Sequence, residues 1–363
     1  NNLGFFEAVD VSTSPGSAED KMNVNVNVAE RATGTFSVGA GYSSVDGLVG
    51  QGSITQENFL GRGLRLNLAG SIGSDSSTYQ LGVTDPYFMD TRWTLGFEVY
   101  QTSREWDDYS RDATGFALKA GHPIGEYSRL LATYRLEFVD VYDIGFFATD
   151  TIKDQEGTST VSSVTTTYSY NTTDNRLDPS TGTDLSASWE FAGIGGTEHF
   201  SKYILDARHF WPFVWDTVLS ARGQVGYVHD WQKNEDVPID ERFYLGGIRS
   251  LRGFDNREVG PRDEFGDFIG GETEAFFNFE FIFPLYQELN IKGVTFFDVG
   301  NTWSNDDYWG EDDQVFGSWR YSAGGELRWL SPLGPMRFAY GYNLDPRDYE
   351  SDTQFDFTIG RFF

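Results

Sequence analysis

Apolar residues recur at every second position along most of this 363-residue chain, and almost nowhere at the three-to-four spacing of a helix. Gly34, Phe36, Val38, Ala40 and Tyr42 alternate with Thr35, Ser37, Gly39, Gly41 and Ser43, which in an extended chain puts the two sets on opposite faces. The alternation returns in Leu64, Leu66 and Leu68 against Arg65 and Asn67, and in Trp93, Leu95, Phe97 and Val99 against Arg92, Thr94 and Glu98. It appears again in Phe277, Phe279, Phe281 and Phe283 against Asn278 and Glu280. Between turn signals the pattern predicts sixteen strands, at 33–43, 48–57, 63–72, 77–84, 92–103, 112–121, 127–140, 160–170, 184–193, 200–211, 217–229, 272–283, 291–300, 318–330, 335–343 and 353–363. These strands are about ten residues long, beyond the five or six usual in soluble sheets. Tight connections such as 58–62, 122–126, 211–216 and 331–334 alternate with long acidic ones such as 141–159, 230–271 and 301–317. A soluble sandwich alternates too, but strand length and loop asymmetry together favour an all-β, 16-stranded antiparallel transmembrane barrel. Aromatics at strand ends, as in Pro86-Tyr87-Phe88 and the terminal Phe362-Phe363, suit the membrane interfaces.

Composition narrows the function classes. No apolar run approaches the ~18 residues of a transmembrane helix, so any insertion into a membrane is through strands. With 31 Phe, 19 Tyr and 10 Trp the chain is not a disordered acidic polymer. Acidic residues outnumber basic ones 55 to 27, a formal charge of −28 that repels a polyphosphate backbone, so nucleic acid is not an expected partner. The absence of Cys removes disulfides, thiolate catalysis and Cys-based zinc sites, and fits an oxidising compartment.

Catalytic constellations are lacking in the sequence. His122, His199, His209 and His229 stand far apart in no metal-ligand spacing, and surface or lumenal positions explain them. Gly39-Ala40-Gly41 lacks the strand-turn-helix context of a nucleotide loop. The run Asp306, Asp307, Glu311, Asp312 and Asp313 lacks the regular ligand spacing of a Ca²⁺ loop and reads as a solvated connection. No enzymatic activity and no cofactor or metal is expected. The first residues differ from the rest: Phe5 to Ser12 and Met22 to Glu30 alternate around a Ser-Pro-Gly turn, too little to fold alone as a hairpin.

The informative segment is the long connection before the twelfth strand, Glu241-Arg-Phe-Tyr-Leu-Gly-Gly-Ile-Arg-Ser-Leu-Arg-Gly-Phe254 followed by Gly260-Pro-Arg262. It is long enough to fold into a lumen. An Arg252 guanidinium there needs a carboxylate, since buried unpaired it is costly and a bidentate partner satisfies its fork. Alternation points Glu280 inward, and Asp298 lies on the neighbouring strand, so both are candidate partners. Gly253 permits a turn that side-chain-bearing residues resist. Here the sequence resembles the BamA family, the central barrel of the β-barrel assembly machinery. The resemblance rests on Leu251-Arg252-Gly253-Phe254 in the loop, Phe296-Phe-Asp298-Val-Gly300 on the thirteenth strand, Glu280-Phe-Ile-Phe-Pro284 on the twelfth and Trp329-Leu-Ser-Pro-Leu-Gly-Pro335. Gln56-Glu-Asn-Phe-Leu-Gly61 and Thr84-Asp-Pro-Tyr-Phe88 fit in the same order, and the likeness spans residues 1–363.

The resemblance implies a division into residues 1–31, the C-terminal fragment of a polypeptide-transport-associated (POTRA) domain, and residues 32–363, the barrel. It implies a bacterial outer-membrane location with the N-terminal segment in the periplasm. The function implied is folding and insertion of unfolded outer-membrane proteins, with accessory lipoproteins held by further POTRA domains and with outer-membrane lipids, lipopolysaccharide included, as partners. A TamA-type assembly barrel and a two-partner-secretion transporter share the motifs and remain alternatives. The working place implied is the seam between first and last strands, carried by Phe36, Val38, Gly39 and Gly41 on one side and Phe355, Phe357, Ile359, Gly360 and Phe363 on the other. Glycine weakens a strand, and a weak seam leaves an edge to which another strand can add.

Overall fold

In a computed structural model, which describes all residues except 1–5, 19, 107–108, 147, 149, 233–235, 263–265, 305–317, 332–333, 348 and 361–363, the alternating segments are strands. The first two, β1 (Phe6–Pro15) and β2 (Met22–Glu30), pair antiparallel as a separate two-stranded sheet. Sixteen more form one closed antiparallel barrel. Its first half comprises β3 (Gly34–Ser43), β4 (Gly47–Phe59), β5 (Leu64–Ile72), β6 (Ser76–Asp85), β7 (Thr94–Glu105), β8 (Ser110–Pro123), β9 (Ser128–Tyr142) and β10 (Gly157–Asn171). The second half comprises β11 (Gly182–Ala192), β12 (Phe200–Pro212), β13 (Val218–Asp230), β14 (Thr273–Tyr286), β15 (Ile291–Trp303), β16 (Arg320–Ser331), β17 (Gly334–Asn343) and β18 (Thr353–Ile359). Each barrel strand pairs with its neighbours in sequence, and β18 returns to β3.

Burial settles which face is which. Large apolar side chains such as Leu68, Phe97, Trp189, Phe279 and Tyr340 stand exposed on the outer wall, while Glu137, Asn278, Glu280, Asp298 and Glu326 are buried inside. A sandwich would have the reverse. An apolar exterior around a polar, charged interior is stable only where the exterior meets lipid. None of the described helices is long and apolar enough to cross a membrane.

The rims follow their local sequence. Tight connections use left-handed backbone at Asn58, Leu60, Met89, Asp90, Trp215, Asp216 and Asn290. The connection between β13 and β14 instead turns inward and fills the lumen, where Leu245, Leu251, Phe254 and Val259 pack with Phe276 of the wall. Most strand ends lie within a few residues of expectation. Among the described residues the last strand ends at Ile359, where Gly360 has φ +97°, outside the extended range of an L-residue; residues 361–363 of the expected strand lie outside the described residues.

Candidate functional site: the lumenal latch and the seam

Loop residue Arg252 sits against β14, β15 and β16. Its Nε and Nη2 donate to the two oxygens of Asp298 at 2.8 and 2.7 Å, and its backbone N–H reaches Asp298 Oδ2 at 3.1 Å. Nη1 donates to Glu280 Oε1 at 2.9 Å and to Glu326 Oε2 at 2.7 Å. The guanidinium lies 3.8 Å above the centre of the Phe296 ring, a cation–π contact made stronger by the dry surroundings. Burial opposes charge on Arg252, yet the carboxylates, Asp298 first, more than compensate and hold the group protonated above its ordinary range.

Register explains the arrangement. Phe296 faces Glu280 across β14–β15 and Gly324 across β15–β16, and Asp298 lies two residues further along its strand, on the same inward face. Gly324 leaves room for the ring, since a Cβ there would lie 2.6 Å from Phe296 Cζ. Gly300 is likewise closed to a side chain, its added Cβ falling 2.5 Å from Phe276 Cβ. Gly253, at φ +91°, brings the loop backbone against β17: a Cβ on Gly341 would lie 2.4 Å from the Gly253 nitrogen. Leu251 and Phe254 on either side are buried among the lumenal apolar cluster. The pairing of Arg252 with Asp298 and Glu280 expected from sequence is therefore present.

Sequence reading missed the rest of the network. Arg328 donates to Glu280 at 2.6 Å and to Glu326 at 2.8 Å, Arg337 to Glu326, and Arg208 to Glu280 at 2.8 Å. Glu326 and Arg328 stand two apart on β16 and so share a face, the one signal that could have found them. A second anchor was also missed. At the other end of the loop, Glu241 accepts from Arg135 at 2.8 Å and Lys202 at 3.0 Å, and Asp240 meets Arg111 at 2.7 Å. Burial disfavours charge on Glu241, but Lys202 and Arg135 outweigh it and bring its carboxyl down to about 2. Burial and the neighbouring Glu241 push Asp240 the other way, upward.

At the seam, β18 meets β3 at two residue pairs among the described residues, Thr358 with Ser43 and Ile359 with Tyr42. On its other edge β3 pairs with β4 along all of Gly34–Ser43. Phe36 and Val38, 72% and 73% exposed, lie on the stretch with no ladder partner toward β18 among the described residues, as does Gly39. Gly41 is buried, and a Cβ on Gly360 would come within 3.1 Å of its Cα. Phe355 is exposed on the outer wall, and Phe357 packs on Tyr42 with ring centres 5.2 Å apart. Phe363 lies outside the described residues, as does the acidic run from Asp306 to Asp313.

Fold and latch define an outer-membrane β-barrel whose lumen is filled by its own loop. The chain belongs to the Omp85 superfamily, whose domain matches residues 58–363. It is 34% identical, over all of its length, to the outer membrane protein assembly factor BamA of Nitratidesulfovibrio vulgaris, and 28% identical, over 99%, to that of Neisseria meningitidis. It spans about half of each, 46% and 51%. The solved BamA from Haemophilus ducreyi lacking POTRA domains 1–3 superposes with a TM-score of 0.88 at 24% identity, covering 99% of this chain and 76% of that one.

Proposed function

We propose that the barrel is the membrane portion of an assembly factor that folds and inserts other β-barrel proteins into the bacterial outer membrane. The observation that carries this reading is the seam of two pairs among the described residues, beside a fully paired β3–β4 edge. An unpaired strand edge is a template, and main-chain hydrogen bonds give affinity that tolerates many sequences. A client strand adding to β3 needs no nucleotide, metal or catalytic side chain. The free energy comes from the client's own folding, and the barrel lowers the barrier by offering the edge. In this reading residues 1–31 are the end of a POTRA domain, accessory lipoproteins act through further such domains, and lipids, lipopolysaccharide among them, border the seam. Arg252 and its carboxylates hold the lumenal loop in place while the seam works.

The test places a photo-crosslinking residue at Val38 in the full-length protein in growing cells. Capture of unfinished barrels through their last strands is the expected result. Capture of only one secreted passenger would move the function to secretion, and capture of strand β18 and lipid alone would remove the seam as the working place.

A further inference from the structure

Beneath the loop tip, toward the β10–β11 turn, the lumen holds a cavity of about 230 Å³. Seven cations line it: Arg208, Arg222, Arg249, Arg252, Lys292, Arg328 and Arg337; only Asp178 and Glu280 line it as acids. The carboxylates that pair these cations from behind are Asp298, Glu326, Asp206 and Asp46. Seven cations share these six carboxylates, and Asp46 also serves Arg104 at 3.5 Å, so positive charge is in excess among these ion pairs, inside a chain whose formal charge is −28. Asp184, opposite Arg208 in the β11–β12 register, makes no described ion pair with it and does not line the cavity.

The excess has donors to spend. Arg208 uses Nε on Ser220 and Nη2 on Glu280; Arg337 uses Nε and Nη2 on Glu326. The remaining nitrogen of each, Nη1, has no acceptor among the described residues. Beside the cations the lining is apolar, from Leu177, Pro179, Phe210, Ile248 and Ile282. A cavity of roughly 150 Å³ with apolar walls takes a benzene ring. This one is larger by the room an oxyacid group needs.

We propose that the cavity is a binding site for a small carboxylate with an apolar body of about one aromatic ring, such as the free end of a polypeptide chain. Arg208 and Arg337 hold the carboxylate through their free Nη1 groups, and the apolar residues take the ring. Charge-assisted bonds from two guanidinium groups fit a carboxylate and reject a neutral amide, which leaves the excess positive charge unbalanced. The site does not depend on the assembly reading, and each can fail alone.

The probes are N-acetylphenylalanine, its amide and inorganic phosphate, titrated calorimetrically into the barrel in detergent micelles. The acid is expected to bind, with the amide at least tenfold weaker and phosphate weaker than the acid. Arg208→Gln should weaken the acid at least tenfold without altering the heat-dependent gel mobility that reports a folded barrel. Equal binding of acid and amide, tighter binding of phosphate than of the acid, or no binding by the unaltered protein would each overturn the proposal. The acid–amide comparison uses the unaltered chain, so it decides the matter even where the variant fails to fold.

Discussion

Replacing Arg252 with Ala strands one carboxylate far more than the others. Glu280 keeps Arg328 and Arg208, and Glu326 keeps Arg328 and Arg337. Asp298, whose side chain is fully buried, keeps only the backbone N–H of residue 252 among the three bonds that Arg252 gives it. Removing one member of a buried pair costs about 3–5 kcal/mol, because the survivor is left charged in a dry site. Arg252→Ala should therefore destabilise the barrel by about that amount. Asp298→Ala added to it should do little further harm, giving a coupling energy of about 2–3 kcal/mol, at the upper end for contacting residues. The same cycle with Glu326→Ala should give a smaller coupling, since that carboxylate has other cations. Urea titration of the barrel in phospholipid bilayers, followed by tryptophan emission, measures all three. Additive losses for Arg252 and Asp298, or a larger coupling to Glu326 than to Asp298, would refute the assignment of Asp298 as the dependent partner.

Three further outcomes follow from the geometry. Gly341→Ala should cost about 1–3 kcal/mol and make the loop sensitive to protease, because its Cβ meets the Gly253 backbone, whereas Gly50→Ala, with nothing nearer than 3.9 Å, should leave the loop protected. Alternate amides of β3 between Gly34 and Gly39, those directed to the seam, should exchange hydrogen with solvent orders of magnitude faster than the central amides of β14; equal protection would mean a closed seam. The folded pKa of Glu241 lies below its ordinary 4.5, so its ion pairs contribute fully above pH 4.5 and are lost as pH falls toward about 2. Protease resistance of the loop should hold at pH 5 and decline below 4, a decline that Glu241→Gln removes.

The barrel was legible because lipid and lumen impose one rule on every strand, and a two-residue period records it directly. Arg252 was legible too, since a guanidinium in a loop bound for the lumen demands acids, and alternation says which ones point inward. What stayed hidden depends on how the sheet curls. Arg135 meets Glu241 across 106 residues of chain, and periodicity gives the face of each but not which strands confront each other over the lumen. The left-handed backbone at Gly360 was hidden for another reason: a glycine reads alike whether its φ is negative or, as there, positive. A weak seam was expected from its glycines, but the number of pairs across it was not, because the stagger between first and last strands is a property of the closed cylinder and has no local trace.

The loop's two anchors have a mechanical consequence. One grips β8, β9 and β12 through Arg111, Arg135 and Lys202, and the other grips β14, β15 and β16 through Arg252. Both lie away from the join between β18 and β3, across which the loop tip reaches the first hairpin through Arg249 and Asp46, 2.9 Å apart. The lumenal loop thus ties the wall from β8 to β16 together from within, while the join itself is held by the two β18–β3 pairs and by Ser44, which donates its N–H to the Phe357 carbonyl at 3.0 Å and its hydroxyl to Asp356 at 2.9 Å.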